Sequence, residues 1–264
     1  MDFSIFKNKY KIEGSLVVLN ALHIGSGKEK EEHDAPFIEN DGRYYIPGSS
    51  FRGYLKTKLE RYLDEDNDFN FYVGEEKLNL ADVKLIFGYT NLTKKDNEEN
   101  NKENNKEVVE RVLKKLGCDI DKQNEFESMA GRIHVSDMVL ISEVESVKRD
   151  GIAIDRETGA TKAGAKFDYD VIPAGAKFKF VIELENIEEY QLDLISLALK
   201  DILDENGDLF GGKLSRGIGK CRVEDLKIHY ANSTNIKNYI FKKEMSELKI
   251  EEFLNIKNLK IKIN

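Results

Sequence analysis

The order of hydrophobic periodicities along the chain predicts an α+β fold: an antiparallel ferredoxin-like, RRM-like sheet with its helices on one face. Residues 10–18, 133–137, 178–184 and 222–229 alternate apolar and polar side chains as half-buried strands do. Residues 51–63 and 192–203 instead repeat their apolar positions at helical spacing. The succession is strand, helix, strand, strand, helix, strand, with two insertions, one acidic and one mixed in charge, hanging off the sheet.

Each element has its own local reason. In the first strand Tyr10, Ile12, Leu16 and Val18 share one parity and Lys11, Glu13 and Ser15 the other, so one face is buried. A glycine-flanked loop, His23 to Gly27, follows. After Ile46, Pro47 and Gly48, the pair Ser49 and Ser50 is placed to cap a helix in which Phe51, Tyr54, Leu55, Leu59, Tyr62 and Leu63 recur. Residues 93–107, TKKDNEENNKENNKE, contain no apolar residue and no period, which predicts a mobile or disordered insertion. A short helix around Val108 to Leu116 resumes order. RIHVSDMVLI reads as one strand, and KFKFVIELE as another with Phe178, Phe180, Ile182 and Leu184 on its buried parity. Between them Glu145 to Gly175, charged, glycine-rich and poor in large aliphatics, is expected to project from the body. Leu192 to Leu203 forms the second amphipathic helix, and Arg222 to His229 the terminal strand of the core.

The expected organisation is a single domain over 1–264, with insertions at about 64–130 and 145–175 and a C-terminal extension at 230–264. The net charge of −8 is unevenly spread: residues 60–130 hold 11 cations and 18 acids and so supply most of it. Two stretches are locally basic, one with Arg43, Arg52, Lys56 and Lys58 and one with Lys213, Arg216, Lys220 and Arg222. These are the candidate anion-binding surfaces. The longest apolar runs are far short of a membrane span, and charges at Asp2, Lys7, Lys9, Lys11 and Glu13 do not suit a signal peptide, so a cytoplasmic chain with no membrane partner is expected. Cys118 and Cys221 are isolated, which argues against a disulfide framework and against a paired-cysteine zinc site.

The segment LFGGKLSRGIGKCRV packs four glycines and four cations into fifteen residues with no acid. Gly211, Gly212, Gly217 and Gly219 permit positive φ and the close approach of another backbone, and Lys213, Ser215 and Arg216 supply charge and hydroxyl contacts suited to phosphates. It is not a P-loop, because the terminal Gly-Lys-Ser/Thr is missing and a strand rather than a helix follows. In IPGSSFRGYLK, Ser49, Ser50 and Arg52 stand at a helix N-terminus, where free amides favour an anion, and Lys56 shares a helix face with Arg52. Structural turn glycines and a plain serine cap account for either motif taken alone. His23, His33, His134 and His229 have no metal-ligand spacing, and no nucleophile, base and acid arrangement can be placed. Asp34, in the acidic loop EKEEHDAPFIEN, reads locally as solvated surface.

Taken in order, ALHIGSG, HDAPFIENDGRYYIPGSSFRGYLKTKLE, RIHVSD, RDGIAIDRETGATKAGAKFDYDVIPAGAKFKFVIEL and LFGGKLSRGIGKCRV resemble the RAMP proteins of CRISPR systems. Within them the chain is most similar to the repeated backbone subunit of type III effector complexes, the type III-A one above all. The motifs cover most of residues 10–228. The resemblance implies a modified RRM fold whose copies stack along a CRISPR guide RNA beside other type III effector subunits and a complementary target RNA. It implies guide contacts at His23, Gly25, Ser49, Ser50, Arg52, Lys56, Lys213, Ser215 and Arg216. Residues 145–175 would form a thumb that wedges into the guide–target duplex and brings Arg149 and Arg156 near the distortion, and 64–130 would be a lid. It further implies that Asp34, in HDAPFI, is the catalytic residue for target RNA cleavage at regular intervals by attack of a 2′-hydroxyl, with Mg2+ or another divalent cation as cofactor. The cysteines for the zinc site of some relatives are absent, and no zinc is expected. Two other readings remain open: a non-catalytic guide-binding scaffold of the same family, and a nucleotide-binding metabolic enzyme using the glycine-rich loop.

Overall fold

The computed structural model describes residues 5–27, 35–90, 110–117 and 128–263. Its main sheet is built on β1 (Asn8–Val18), β2 (Ile133–Val135), β3 (Lys177–Glu185) and β4 (Lys220–Asn232). In space the order is β4, β1, β3, β2, every neighbouring pair antiparallel, with Asp208–Leu209 and Ser246–Leu248 adding short pairings to β4. Helices α1 (Gly48–Tyr62), α2 (Leu80–Phe87) and α3 (Glu189–Leu203) complete a mixed α and β core. The core face carries Ile12, Leu16, Phe178, Phe180, Ile182, Leu184, Cys221 and Ile228, against Phe51, Leu55 and Leu59 of α1 and Leu194, Ile195, Ala198 and Ile202 of α3. Each such large side chain contributes about 1.5–3 kcal/mol on burial. The other face is charged and largely self-paired, with Lys9 on Glu183 and Glu185 and Lys177 on Glu224.

One bulge explains how β4 keeps a single buried face. Its buried side chains change parity from Cys221 and Val223 to Leu226 and Ile228, and the register against β1 shifts between Glu13 and Ser15. Asp225 takes φ 54° to accommodate this, and Gly14 faces it where a Cβ would stand 2.6 Å from the Glu224 carbonyl oxygen.

RIHVSDMVLI is not the single strand its composition suggests. Ile133–Val135 joins the main sheet, and Met138–Val139 turns away to pair with Tyr45 and Ile46. The break falls where Gly48 packs so closely on Val135 that a Cβ would overlap its carbonyl. Residues 147–173 form a long two-stranded hairpin, Val147–Ile154 against Thr161–Pro173, whose base is sewn to Ala21 and Leu22. Val147, Ile152 and Ile154 stay exposed on it, which is why it shows no one-sided hydrophobic alternation.

Residues 110–116 are helical, within the helix expected at 108–116, and Lys115 of this helix pairs with the fully buried Asp82 of α2 at 2.8 Å. The polar insertion 93–107 lies outside the described residues. The C-terminal stretch is bound into the body: Phe253 is buried in the main core and Lys260–Ile263 pairs with Phe69–Val73. Among the described residues no helix is long and apolar enough to cross a membrane.

Candidate nucleic-acid interface

Helix α1 starts earlier than a serine cap would have it. Pro47, at φ −57° and ψ 132°, is the residue before the first turn, and it offers no side-chain cap. The Gly48 amide instead donates to the Asp137 carboxylate at 2.7 Å. Ser49 and Ser50 therefore sit inside the first turn, and the electropositive helix end is already met by a carboxylate from the β2 loop. This corrects the expectation of a serine-capped N-terminus open to a phosphate.

A cleft of about 820 Å³ runs along the neighbouring face of α1. Ser50, Gly53, Thr57 and Arg61 form one wall; Ile24, Gly25 and the glycine-rich residues Phe210, Gly211, Gly212 and Leu214 form the other. Three of the motifs singled out in the sequence thus converge, and four of the lining residues on the two walls are glycines that leave backbone open to a ligand. Ser49, Arg52 and Lys56 do not line it. Arg52 donates to the Phe87 carbonyl and lies over the Phe87 ring, with its Cζ 5.6 Å from the centroid, and Lys56 pairs with Glu60 at 3.5 Å. The cleft-facing cation that sequence reasoning missed is Arg61. Its signal was present as helical spacing from Ser50 through Thr57.

At one end of the cleft Lys58 bridges two acids, 2.5 Å from Asp201 and 2.7 Å from Asp208, and the Tyr54 hydroxyl donates to Asp208 at 2.5 Å. Burial works against the charged form of Lys58, but the hydrogen bonds it donates to Asp201 and Asp208 outweigh it and raise its pKa. Burial likewise works against charged Asp208, yet Lys58, Tyr54 and the Leu209 amide hold its carboxyl below the ordinary value. Burial and Asp208 together push the Tyr54 phenol far up.

The glycine-rich loop is a built structure. Phe210 N donates to Gly219 O (2.7 Å), Gly219 N to Ala21 O (2.6 Å) and Gly212 N to His23 O (2.8 Å). Gly211 at φ 98° and Gly219 at φ 96° each face a carbonyl oxygen that a Cβ would approach to 2.9 and 2.7 Å. These two glycines are required by the loop's own geometry. Between them Lys213 adopts a left-handed conformation and opens a one-turn 3-10 helix, Leu214–Arg216, on which Ser215 and Arg216 are exposed. The cations lean on the hairpin: Lys213 Nζ is 4.8 Å from the Tyr169 ring centroid and Arg216 Cζ is 4.5 Å from that of Phe167.

His23 is buried between these parts. Its Nδ1 lies 2.6 Å from the Asp170 carbonyl oxygen, and its ring meets Tyr169 edge-on at 5.6 Å. Arg149 is exposed opposite Tyr169 on the outer strand of the hairpin, and Arg156 is exposed in the turn at its tip. That turn is closed by Asp155, whose carboxylate accepts from the Thr158 and Glu157 amides and is held below its ordinary pKa by them. Neither arginine lines the cleft. Asp34 lies outside the described residues; Ala35, next in sequence, bridges to Tyr169, and its carbonyl accepts from the Asp170 amide at 3.1 Å. Among the described residues no group of three or more His, Cys, Asp or Glu is arranged to hold a metal ion.

A relative from Methanocaldococcus jannaschii, named CRISPR system Cms endoribonuclease Csm3, is 27% identical over 238 residues, covering 86% of this chain and 84% of its own length. The model of the RAMP superfamily matches residues 15–222, a span that takes in the end of β1, α1, the hairpin and the glycine-rich loop. On that match the chain belongs to the RAMP superfamily.

Proposed function

We propose that this chain is a guide-RNA-binding backbone subunit of a type III CRISPR interference complex and that it cleaves complementary target RNA. The observation that carries the reading is the convergence of Ile24 and Gly25, the Ser50–Arg61 face of α1 and the glycine-rich loop on one open cleft. A sugar–phosphate backbone suits such walls, because glycines admit close approach and Arg61, Lys213 and Arg216 supply charge at its margin. Family membership and likeness to a relative named an endoribonuclease support the same reading. The strand order β4, β1, β3, β2, joined through α1 and α3, supports reading the core as a ferredoxin-like, RRM-like sheet.

In this reading copies of the chain follow one another along the guide, with other type III subunits beside them, and the hairpin is the thumb that disturbs the guide–target duplex. Asp34 is the carboxylate that acts where a 2′-hydroxyl attacks the adjoining phosphate. A divalent cation such as Mg2+ would supply charge stabilisation there.

Binding of a labelled guide-type RNA and of a mononucleotide, each titrated with salt, tests the reading. Tight RNA binding whose log affinity falls linearly with log salt, at roughly 0.7 per phosphate contacted, is expected. Saturable mononucleotide binding without RNA binding would instead favour a metabolic enzyme.

A further inference from the structure

Lys213 and Arg216 are held by rings rather than by carboxylates. Lys9, Lys58, Lys115 and Arg222 each meet an acid, whereas among the described residues neither Lys213 nor Arg216 does. Each lies instead over an aromatic side chain of the hairpin strand Thr161–Pro173, Lys213 Nζ 4.8 Å from the Tyr169 centroid and Arg216 Cζ 4.5 Å from that of Phe167. A carboxylate would neutralise such a cation and compete with an incoming phosphate. A ring face orients it, leaves its charge in place, and leaves the guanidinium N–H donors free at the edge of their plane.

The rings are themselves built in. Phe167 and Tyr169 share one face of the strand and stack at 6.4 Å with 19° between their planes. Opposite Phe167 in the hairpin register stands Gly151, where a Cβ would overlap the ring, so the ring lies across bare backbone. Tyr169 is 5% exposed, in a small cluster with Ala21, Val171 and Ile218, the last from the glycine-rich loop. Hairpin and loop therefore meet through one set of contacts, apolar at Ile218 and cationic at Lys213 and Arg216.

We propose that Phe167 and Tyr169 are positioning residues: they hold Arg216 and Lys213 without neutralising them, so that a phosphate bound by these cations also fixes the hairpin against the glycine-rich loop. This rests on the cleft and its margin being the guide-RNA site. A hairpin that swings away leaves Arg216 without its ring, and a mobile guanidinium gives up more freedom on meeting a phosphate. RNA therefore binds the docked hairpin more tightly, and by the same factor favours docking.

The test measures affinity of the purified chain for one single-stranded RNA, and hydrogen exchange of the Val147–Ile154 amides with and without that RNA. Wild type is compared with Phe167→Leu, Phe167→Tyr, Arg216→Ala and the double variant of Phe167→Leu with Arg216→Ala. Phe167→Leu should weaken binding about twofold to fivefold, Phe167→Tyr should restore it, and Phe167→Leu should cost nothing further once Arg216 is alanine. RNA should slow hairpin exchange in wild type and Phe167→Tyr, and much less in Phe167→Leu and Arg216→Ala. Losses that add in the double variant, or hairpin protection as strong in Arg216→Ala as in wild type, overturn this proposal and leave guide binding intact. No RNA binding by wild type overturns the guide-site reading and the proposal with it. Arg216→Ala leaves the packing of the hairpin whole, so the exchange result does not depend on Phe167→Leu folding.

Discussion

The Gly48 amide donates to the carboxylate of Asp137, 89 residues later in the chain, at 2.7 Å. One side chain thus caps the helix that walls the cleft and ends the strand that would otherwise run on from Val135. Asp137→Ala is expected to cost about 0.5–2 kcal/mol, as loss of a helix cap does, and to lower the melting temperature. Thermal unfolding of Asp137→Ala beside Ser49→Ala checks this; the serine variant should be close to neutral.

Arg61 and Arg52 separate binding from packing on one helix. Arg61→Ala should weaken RNA binding and reduce the salt slope by roughly 0.7, the loss of one phosphate contact. Arg52→Ala removes a hydrogen bond to the Phe87 carbonyl and a ring contact, so it should lower stability with little change in slope. Equilibrium binding at several salt concentrations, with melting curves, tells the two apart.

Gly211 and Gly219 should tolerate no side chain. Alanine at either position meets positive φ and a carbonyl oxygen within 3 Å, whereas Gly217 at φ 71° has open space around its Cβ position. Gly217→Ala should cost only the left-handed strain of about 1–2 kcal/mol, and Gly211→Ala and Gly219→Ala more. Chemical denaturation of the three variants gives the ranking.

The Lys58–Asp208 pair gives a pH dependence at both extremes. Asp208 has a lowered folded pKa, so its stabilisation is complete above the ordinary carboxylate value of 3.8 and is lost as pH falls through the lower folded value. Lys58 has a raised pKa, so its share is present below 10.5 and is lost as pH rises through the higher folded value. Asp208→Asn should therefore flatten stability on the acid side, read by unfolding from pH 2 to 7.

Much of the fold was legible because one-sided burial writes itself as parity. The alternation of Phe178, Phe180, Ile182 and Leu184 is the buried face of β3, and the first strand and both long helices lie where their periods put them. What failed was set by contacts distant in sequence. The serine pair satisfies the local rule for a cap, but Asp137 takes the place from another loop; the clue was an acid on the buried parity of an apparent strand. Residues 147–173 hide their hairpin because Val147, Ile152 and Ile154 stay exposed on its first strand, so no one-sided alternation marks it. In the cleft, the glycines of the two loops were legible from composition, Arg61 needed the helix face, and His23 and Asp34 have no local signal beyond their resemblance to family motifs.

The central claim is tested most directly by target cleavage. The chain, assembled on a CRISPR-type guide with its complex partners, is given a labelled complementary RNA with Mg2+ or EDTA, as wild type, Asp34→Ala and Asp34→Asn. Regularly spaced cuts that need the metal and vanish in both variants, with guide binding unchanged, are expected. Equal cutting by all three proteins would remove Asp34 from the chemistry, and RNA bound but left uncut by wild type would make the chain a scaffold.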